Sequence, residues 1–330
     1  MKKWIIILSV LLTIQLGLAI GLDMTGNTYG AFEPKEKLLS FEAKSVDGLR
    51  IEAEKKQVEL RRQAGKWMLP ESDDFPADQT AVSGLLEKLA ALQKGWPVAT
   101  TTSAASHFKV ADGNFERKLT LLSGGKVLAT LYVGISPGFR KVNVRPEGDN
   151  NIYAVALNTW EVNPKPDDWI DKDILKLDEK QVKQIEMHGL TLQRKDDTLQ
   201  LAGLDDKEQT NQQAAKGLMD KLTGLHIESL LGRKAKPDWQ QNKPSLEIKL
   251  TKDDGKELTY RFSKPKDGNY YILKRSDLAT YFKVADFQVN PIKDEVRSKL
   301  VQLRTDEKPG KANDEPATTS VTAGKTHTGG

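Results

Sequence analysis

The feature that most constrains this chain is an internal similarity. Residues 78–92 read DQTAVSGLLEKLAAL and residues 211–225 read NQQAAKGLMDKLTGL. They align without a gap and share seven of fifteen residues, at Gln79, Ala81, Gly84, Leu85, Lys88, Leu89 and Leu92 of the first copy. In that copy Val82, Leu85, Leu86, Leu89 and Leu92 recur at helical spacing, and Ala215, Leu218, Met219, Leu222 and Leu225 repeat the stripe. The pattern predicts two amphipathic helices, each with an N-cap, Asp78 or Asn211, whose side chain accepts from an otherwise unpaired backbone N–H. Glycine inside a helix costs up to about 1 kcal/mol against alanine. Gly84 and Gly217 are therefore expected where sheet backbone or a bulky side chain approaches closely.

The similarity extends to both sides. Val58 to Arg62 and Trp67 to Leu69 form an alternating hairpin before the first helix. Leu190 to Arg194 and Leu199 to Leu201 do the same before the second. After each helix comes another hairpin, turning at Gly124-Gly125 or at Asp253-Asp254-Gly255, and then further short strands. Each copy closes on Val-Asn-Pro, at Val162-Asn163-Pro164 and Val289-Asn290-Pro291, with a large ring just before it at Trp160 and Phe287. Repeated hairpins around one helix imply antiparallel sheet with the helix on one face. The fold class expected is α+β: an N-terminal transmembrane helix, then two tandem copies of one antiparallel-sheet-plus-helix module. The boundaries read as anchor 1–22, linker and first strand 23–44, first module 45–175, second module 178–303 and disordered tail 304–330. Trp67 and Trp160 are expected in the core, because the second copy has Leu199 and Phe287 in their places.

Residues 4–22 carry no charge and suit a bilayer-spanning helix, which needs about 20 apolar residues. Lys2 and Lys3 precede the run and the next basic residue is Lys35, so the positive-inside rule puts the N-terminus in the cytoplasm and the body outside. A bacterial inner-membrane protein with a periplasmic or extracytoplasmic body is the localisation expected. The competing reading is a cleaved leader ending near Ala19-Ile20-Gly21. Both readings export the body. The tail beyond 303 is too poor in apolar residues to offset its ordering entropy.

Chemistry is hard to find. The 50 basic and 46 acidic residues are interspersed, which argues against a nucleic-acid partner. There is no cysteine, so disulfides, thiolate metal sites and thiol catalysis are excluded. Gly134-Ile135-Ser136-Pro137-Gly138 matches the serine-hydrolase elbow pattern, but Pro137 lacks the N–H that would serve the oxyanion. It reads as a surface turn. His107, His188, His226 and His327 include no pair at metal-ligand spacing. The acidic doublets at 73–74, 167–168, 196–197, 205–206 and 253–254 sit among turn residues, where Asp bonds its own backbone. No catalytic, cofactor-binding or metal-binding residue is expected, and no cofactor. Trp96, Trp169 and Trp239 have no counterpart in the other copy. They are the candidate ligand or partner contacts if exposed, and packing residues if buried.

The layout, with Trp67-Met68-Leu69-Pro70, Pro76-Ala77-Asp78 before the helix, and Asp168-Trp169-Ile170-Asp171-Lys172-Asp173-Ile174-Leu175 leading into the second copy, resembles the bacterial domain-of-unknown-function family 4340. The second copy departs from the pattern, with Leu199 for the Trp and no Pro before its helix. Members are often encoded beside an ABC-type permease, its ATPase and a gliding-type auxiliary protein. The resemblance therefore implies a non-enzymatic accessory protein of an ABC-type transporter or envelope-assembly system, with protein partners and no established activity. The alternative is an extracytoplasmic binding module for a small molecule, peptide or glycan in the cleft between the two copies.

Overall fold

In a computed structural model of the chain, the residues described are 36–266 and 268–304, together with Gln15. The expected anchor, Gln15 apart, and nearly all of the tail lie outside them. Among the described residues no helix is long and apolar enough to cross a membrane.

The body is α+β and its sheets are antiparallel throughout. The first half begins with a meander, β1 (Gly48–Ala53), β2 (Lys56–Gln63) and β3 (Lys66–Leu69), ending in the two-residue β4 (Phe75–Pro76). Helix α1 (Gln79–Ala91) follows, then β5 (Pro97–Ala99). A small excursion comes next: α2 (Thr102–His107) and the hairpin β6 (Val110–Ala111) with β7 (Asn114–Phe115). The half is completed by β8 (Arg117–Ser123), β9 (Lys126–Val133), β10 (Val142–Pro146) and β11 (Ile152–Val155). These strands form a nine-stranded sheet in the order β4-β3-β2-β1-β8-β9-β10-β11-β5.

The second half has β12 (Val182–Met187), β13 (Leu190–Lys195), β14 (Thr198–Leu201), β15 (Glu208–Thr210), helix α3 (Gln212–Thr223) and β16 (Ser229–Gly232). It continues with β17 (Leu246–Lys252), β18 (Glu257–Ser263), β19 (Tyr270–Arg275) and β20 (Tyr281–Ala285). Helices α4 (Asp286–Lys293) and α5 (Arg297–Leu300) and strand β21 (Val301–Leu303) close it. Its eight-stranded sheet runs β14-β13-β12-β17-β18-β19-β20-β16, while β15 pairs separately with β21.

Both helices begin where the capping residues require. The Asp78 carboxylate accepts from the Ala81 N–H at 2.9 Å, and the Asn211 side-chain oxygen accepts from the Ala214 N–H at 3.2 Å. The apolar stripes of α1 and α3 are buried against the inward residues of the strands, such as Leu49, Ile51, Leu119 and Leu121 in one half and Ile185, Ile248, Leu250 and Leu273 in the other. The shared glutamine also has a structural use. The Gln79 amide clips the edge of β3: its oxygen accepts from the Trp67 N–H at 2.8 Å, and its nitrogen donates to the Trp67 carbonyl at 2.9 Å. Gln212 clips Leu199 in the same way, at 3.1 and 2.7 Å.

Several details differ from the sequence expectation. Residues 36–44 hold no strand, only an isolated bridge between Lys37 and Gln93, though Leu38, Leu39 and Phe41 enter the core; the first strand is β1. Strands β1, β12 and β20 add to the hairpins read from sequence. Gly84 and Gly217 are not close-packing positions, because a Cβ on either would meet nothing within 4 Å. The close approach is at Gly134, where a Cβ would lie 2.0 Å from the Phe108 carbonyl oxygen.

The connection between the halves is a packed seam. The Asp78 N–H donates to the Trp169 carbonyl at 2.8 Å, and the Asp171 N–H donates to that of Pro76 at 2.9 Å. Farther along, the Leu177 N–H donates to the Thr223 carbonyl, and the Ile227 N–H to that of Lys172. The buried Arg275 guanidinium donates to the carbonyls of Leu175 and Ile174 at 3.1 and 3.3 Å. Across the seam the rings of Phe75 and Phe282 meet edge to face, 5.9 Å apart. One apolar cluster thus runs through both halves.

Candidate docking groove

The groove forms where α1 meets the closing turn of the first half. Asn158 and Glu161 make a reciprocal capping box around the 3-10 turn Thr159–Val162. The Glu161 carboxylate accepts from the Asn158 backbone N–H at 2.8 Å. Lys88 of α1 reaches the same carboxylate at 2.6 Å, tying the helix to the turn. Burial alone would raise the Glu161 pKa, but the Lys88 ammonium and the Asn158 donors outweigh it and hold the carboxyl below its ordinary value.

This box turns Val162 into the core and Trp160 out of it. Trp160 is 73% exposed, which corrects its expected core position; Trp67 is buried as expected. In the second half α4 buries Val289 and Ile292, and Phe287 points the other way, 68% exposed. The turn geometry, invisible in residue type alone, decides which side of the chain the ring occupies.

Between the turn and the helix lies a cavity of about 520 Å³. Its walls include Gly84 and Leu85 of α1, Trp160 and Glu161 of the turn, and Asp168 and Trp169 of the seam. Gly84 leaves the helix surface bare there, and Leu85 and the two indoles supply apolar wall. The Trp169 indole N–H donates to the Asn163 carbonyl at 2.7 Å, so its polar edge is satisfied and its ring is fixed.

The three tryptophans singled out by sequence are not brought together. Trp169 is buried and only borders the cavity. Trp239 is buried against Tyr281, ring centroids 5.3 Å apart, with Lys236 over its face, so it packs the outer side of the second sheet. Trp96 is 68% exposed at the start of β5, away from the groove lining. Sequence reasoning missed Trp160 as a surface residue. Its only available signal was that the ring before Val-Asn-Pro recurs as Phe287.

The remaining motifs behave as turns. The Ser136 hydroxyl lies 2.7 Å from the carbonyls of both Gly138 and Lys141, in the turn between β9 and β10. Asp73, Asp74 and Asp196 have positive φ, as turn residues of this type tolerate. Burial raises the pKa of Asp167 even though its carboxylate accepts a backbone N–H from Leu230. Among the described residues no group of three His, Asp or Glu is placed to hold a metal ion. Among the described residues, five cavities each lie on one side of the seam.

A family model described as "Domain of unknown function (DUF4340)" matches residues 67–244. No curated protein matches this chain, and no solved structure does.

Proposed function

The chain belongs to the domain-of-unknown-function family DUF4340, and from that premise we propose that it is a non-enzymatic accessory protein whose groove docks another protein. In this reading residues 4–22 anchor it in the bacterial inner membrane, the body lies outside the cytoplasm, and the partner is a subunit of an ABC-type transporter or envelope-assembly system. One observation carries the docking role: Trp160 stands 73% exposed beside a helix surface that Gly84 leaves uncovered. Large exposed rings over a pocket are common anchors of protein interfaces. A ligand held between the halves is the weaker reading, because the seam is filled by Phe75, Phe282 and the connecting chain.

We further propose that the body is a tandem duplication. The matching succession of strands in the two sheets supports this, as do the paired glutamine clips and N-caps. Under it, Trp160 and Phe287 are the same structural position.

Affinity capture from solubilised membranes tests the docking role. The wild-type chain is expected to recover transporter or envelope-assembly subunits, and Trp160→Ala to lose them while folding normally. Recovery of the bait alone, or equal recovery by both proteins, would sink the proposal.

A further inference from the structure

A second cavity of the first half, about 840 Å³, lies on the other side of Asn163 from the aromatic groove, which that residue also borders. Residues 53–56, 109–117 and 163–165 enclose it. The β1–β2 turn brings Lys55 and Lys56, the excursion around α2 and the β6–β7 hairpin brings Lys109, and the start of β8 brings Arg117. Lys165, just past the Val-Asn-Pro motif, completes the wall. Among the described residues, Glu54 and Glu116 are the acidic ones that line it. Five cations against two carboxylates leave a net positive cavity in a protein whose charges are otherwise nearly balanced.

The imbalance is not relieved locally. Among the described residues none of the five cations is in an ion pair, although Lys118, next to Arg117 on the same strand, pairs with Glu52 at 3.7 Å. One Arg117 terminal nitrogen donates to the Glu116 carbonyl at 2.6 Å. Its Nε is buried without any partner, behind the cavity wall. Lys109 is held there at φ 58°, a conformation that non-glycine residues rarely adopt. The volume is in the range of ligand pockets, about 300–1,000 Å³.

We propose that this cavity is an anion site for a diphosphate or for two phosphate groups on one ligand. Lysine ammoniums act on phosphate as point charges and arginine adds directional donors, which is the mixture present here. Glu54 and Glu116 would repel such a ligand and set its position between them. The second half lacks the site: between β16 and β17 it has only the short turn Pro237–Trp239 in place of the α2 excursion. The cavity at its β12–β13 turn carries Glu186 and Glu247 against Lys249.

Calorimetric titration of the intact chain tests the proposal, with inorganic pyrophosphate and geranyl pyrophosphate as probes and citrate as a carboxylate control. Saturable pyrophosphate binding is expected at low salt. It should weaken about tenfold or more in Lys56→Gln/Lys165→Gln, as expected for loss of two charges near the ligand. It should be unchanged in Lys183→Gln/Lys249→Gln, and strengthen in Glu54→Gln, a gain that misfolding does not mimic. Tighter binding of geranyl pyrophosphate supports a lipid-linked source, and equal binding a soluble one. No saturable binding of either phosphate, citrate binding as tight as pyrophosphate, or equal loss in the two lysine double variants would overturn the proposal.

Discussion

Removing the Gln79 side chain probes whether the residue shared by the two helices exists to clip a sheet edge. Its oxygen accepts the Trp67 N–H at 2.8 Å, and its nitrogen donates to the carbonyls of Trp67 and Ala77 at 2.9 and 2.7 Å. In Gln79→Ala the Trp67 carbonyl keeps the Ala77 N–H, 2.9 Å away. The Trp67 N–H loses its side-chain acceptor, at a residue that is almost fully buried. A stranded buried donor costs about 1–3 kcal/mol, so the variant should lose that much stability. Gln212→Ala removes the same two bonds from Leu199 and should cost a similar amount. The two sites share no partner, so the double variant should be additive to about 0.5 kcal/mol. Native-state hydrogen exchange gives the local readout: Trp67 N–H protection should drop in Gln79→Ala and that of Leu199 should not. Unchanged Trp67 protection would refute the clip, whatever happened to global stability.

Gly84→Ala should stabilise the protein by about 0.5–1 kcal/mol, raising the melting temperature by about 1–4 °C, because a helix gains and nothing is displaced; a loss of stability would show that something packs there. Arg275→Met should destabilise by about 1–3 kcal/mol in urea unfolding, since the carbonyls of Leu175 and Ile174 lose its donors while the exposed Asp277 turns to water; no measurable cost would mean that the seam holds without it. The depressed Glu161 pKa adds stability that is fully present above the carboxyl's ordinary value of 4.5 and is lost as pH falls through the lower folded value. Glu161→Gln should therefore flatten the acid side of the stability profile, and an unchanged slope would contradict the pairing with Lys88.

Much of the architecture was legible because periodicity reports burial directly. The stripe from Val82 to Leu92 gives α1, and the Gly124-Gly125 turn between alternating runs gives β8 and β9. Strand β12 was harder to read, because a register shift between Val182 and Gln184 leaves buried residues at 182, 185 and 187 and breaks the period of two. In β1 only Leu49 and Ile51 carry the pattern. The groove was not legible. The sequence places a large ring before Val-Asn-Pro at both 160 and 287, but the side of the chain facing the core is set by the capping box and by α4. The recurring glycine was misread for a related reason: it marks bare helix surface rather than tight packing.

The docking role is tested most directly by placing a photoactivatable side chain at position 160 of the chain expressed in its own cells. One dominant adduct with a membrane-embedded transporter or envelope-assembly subunit is expected, absent when the same side chain replaces Lys183 on β12. No adduct at position 160, or the same adducts from both positions, would contradict it.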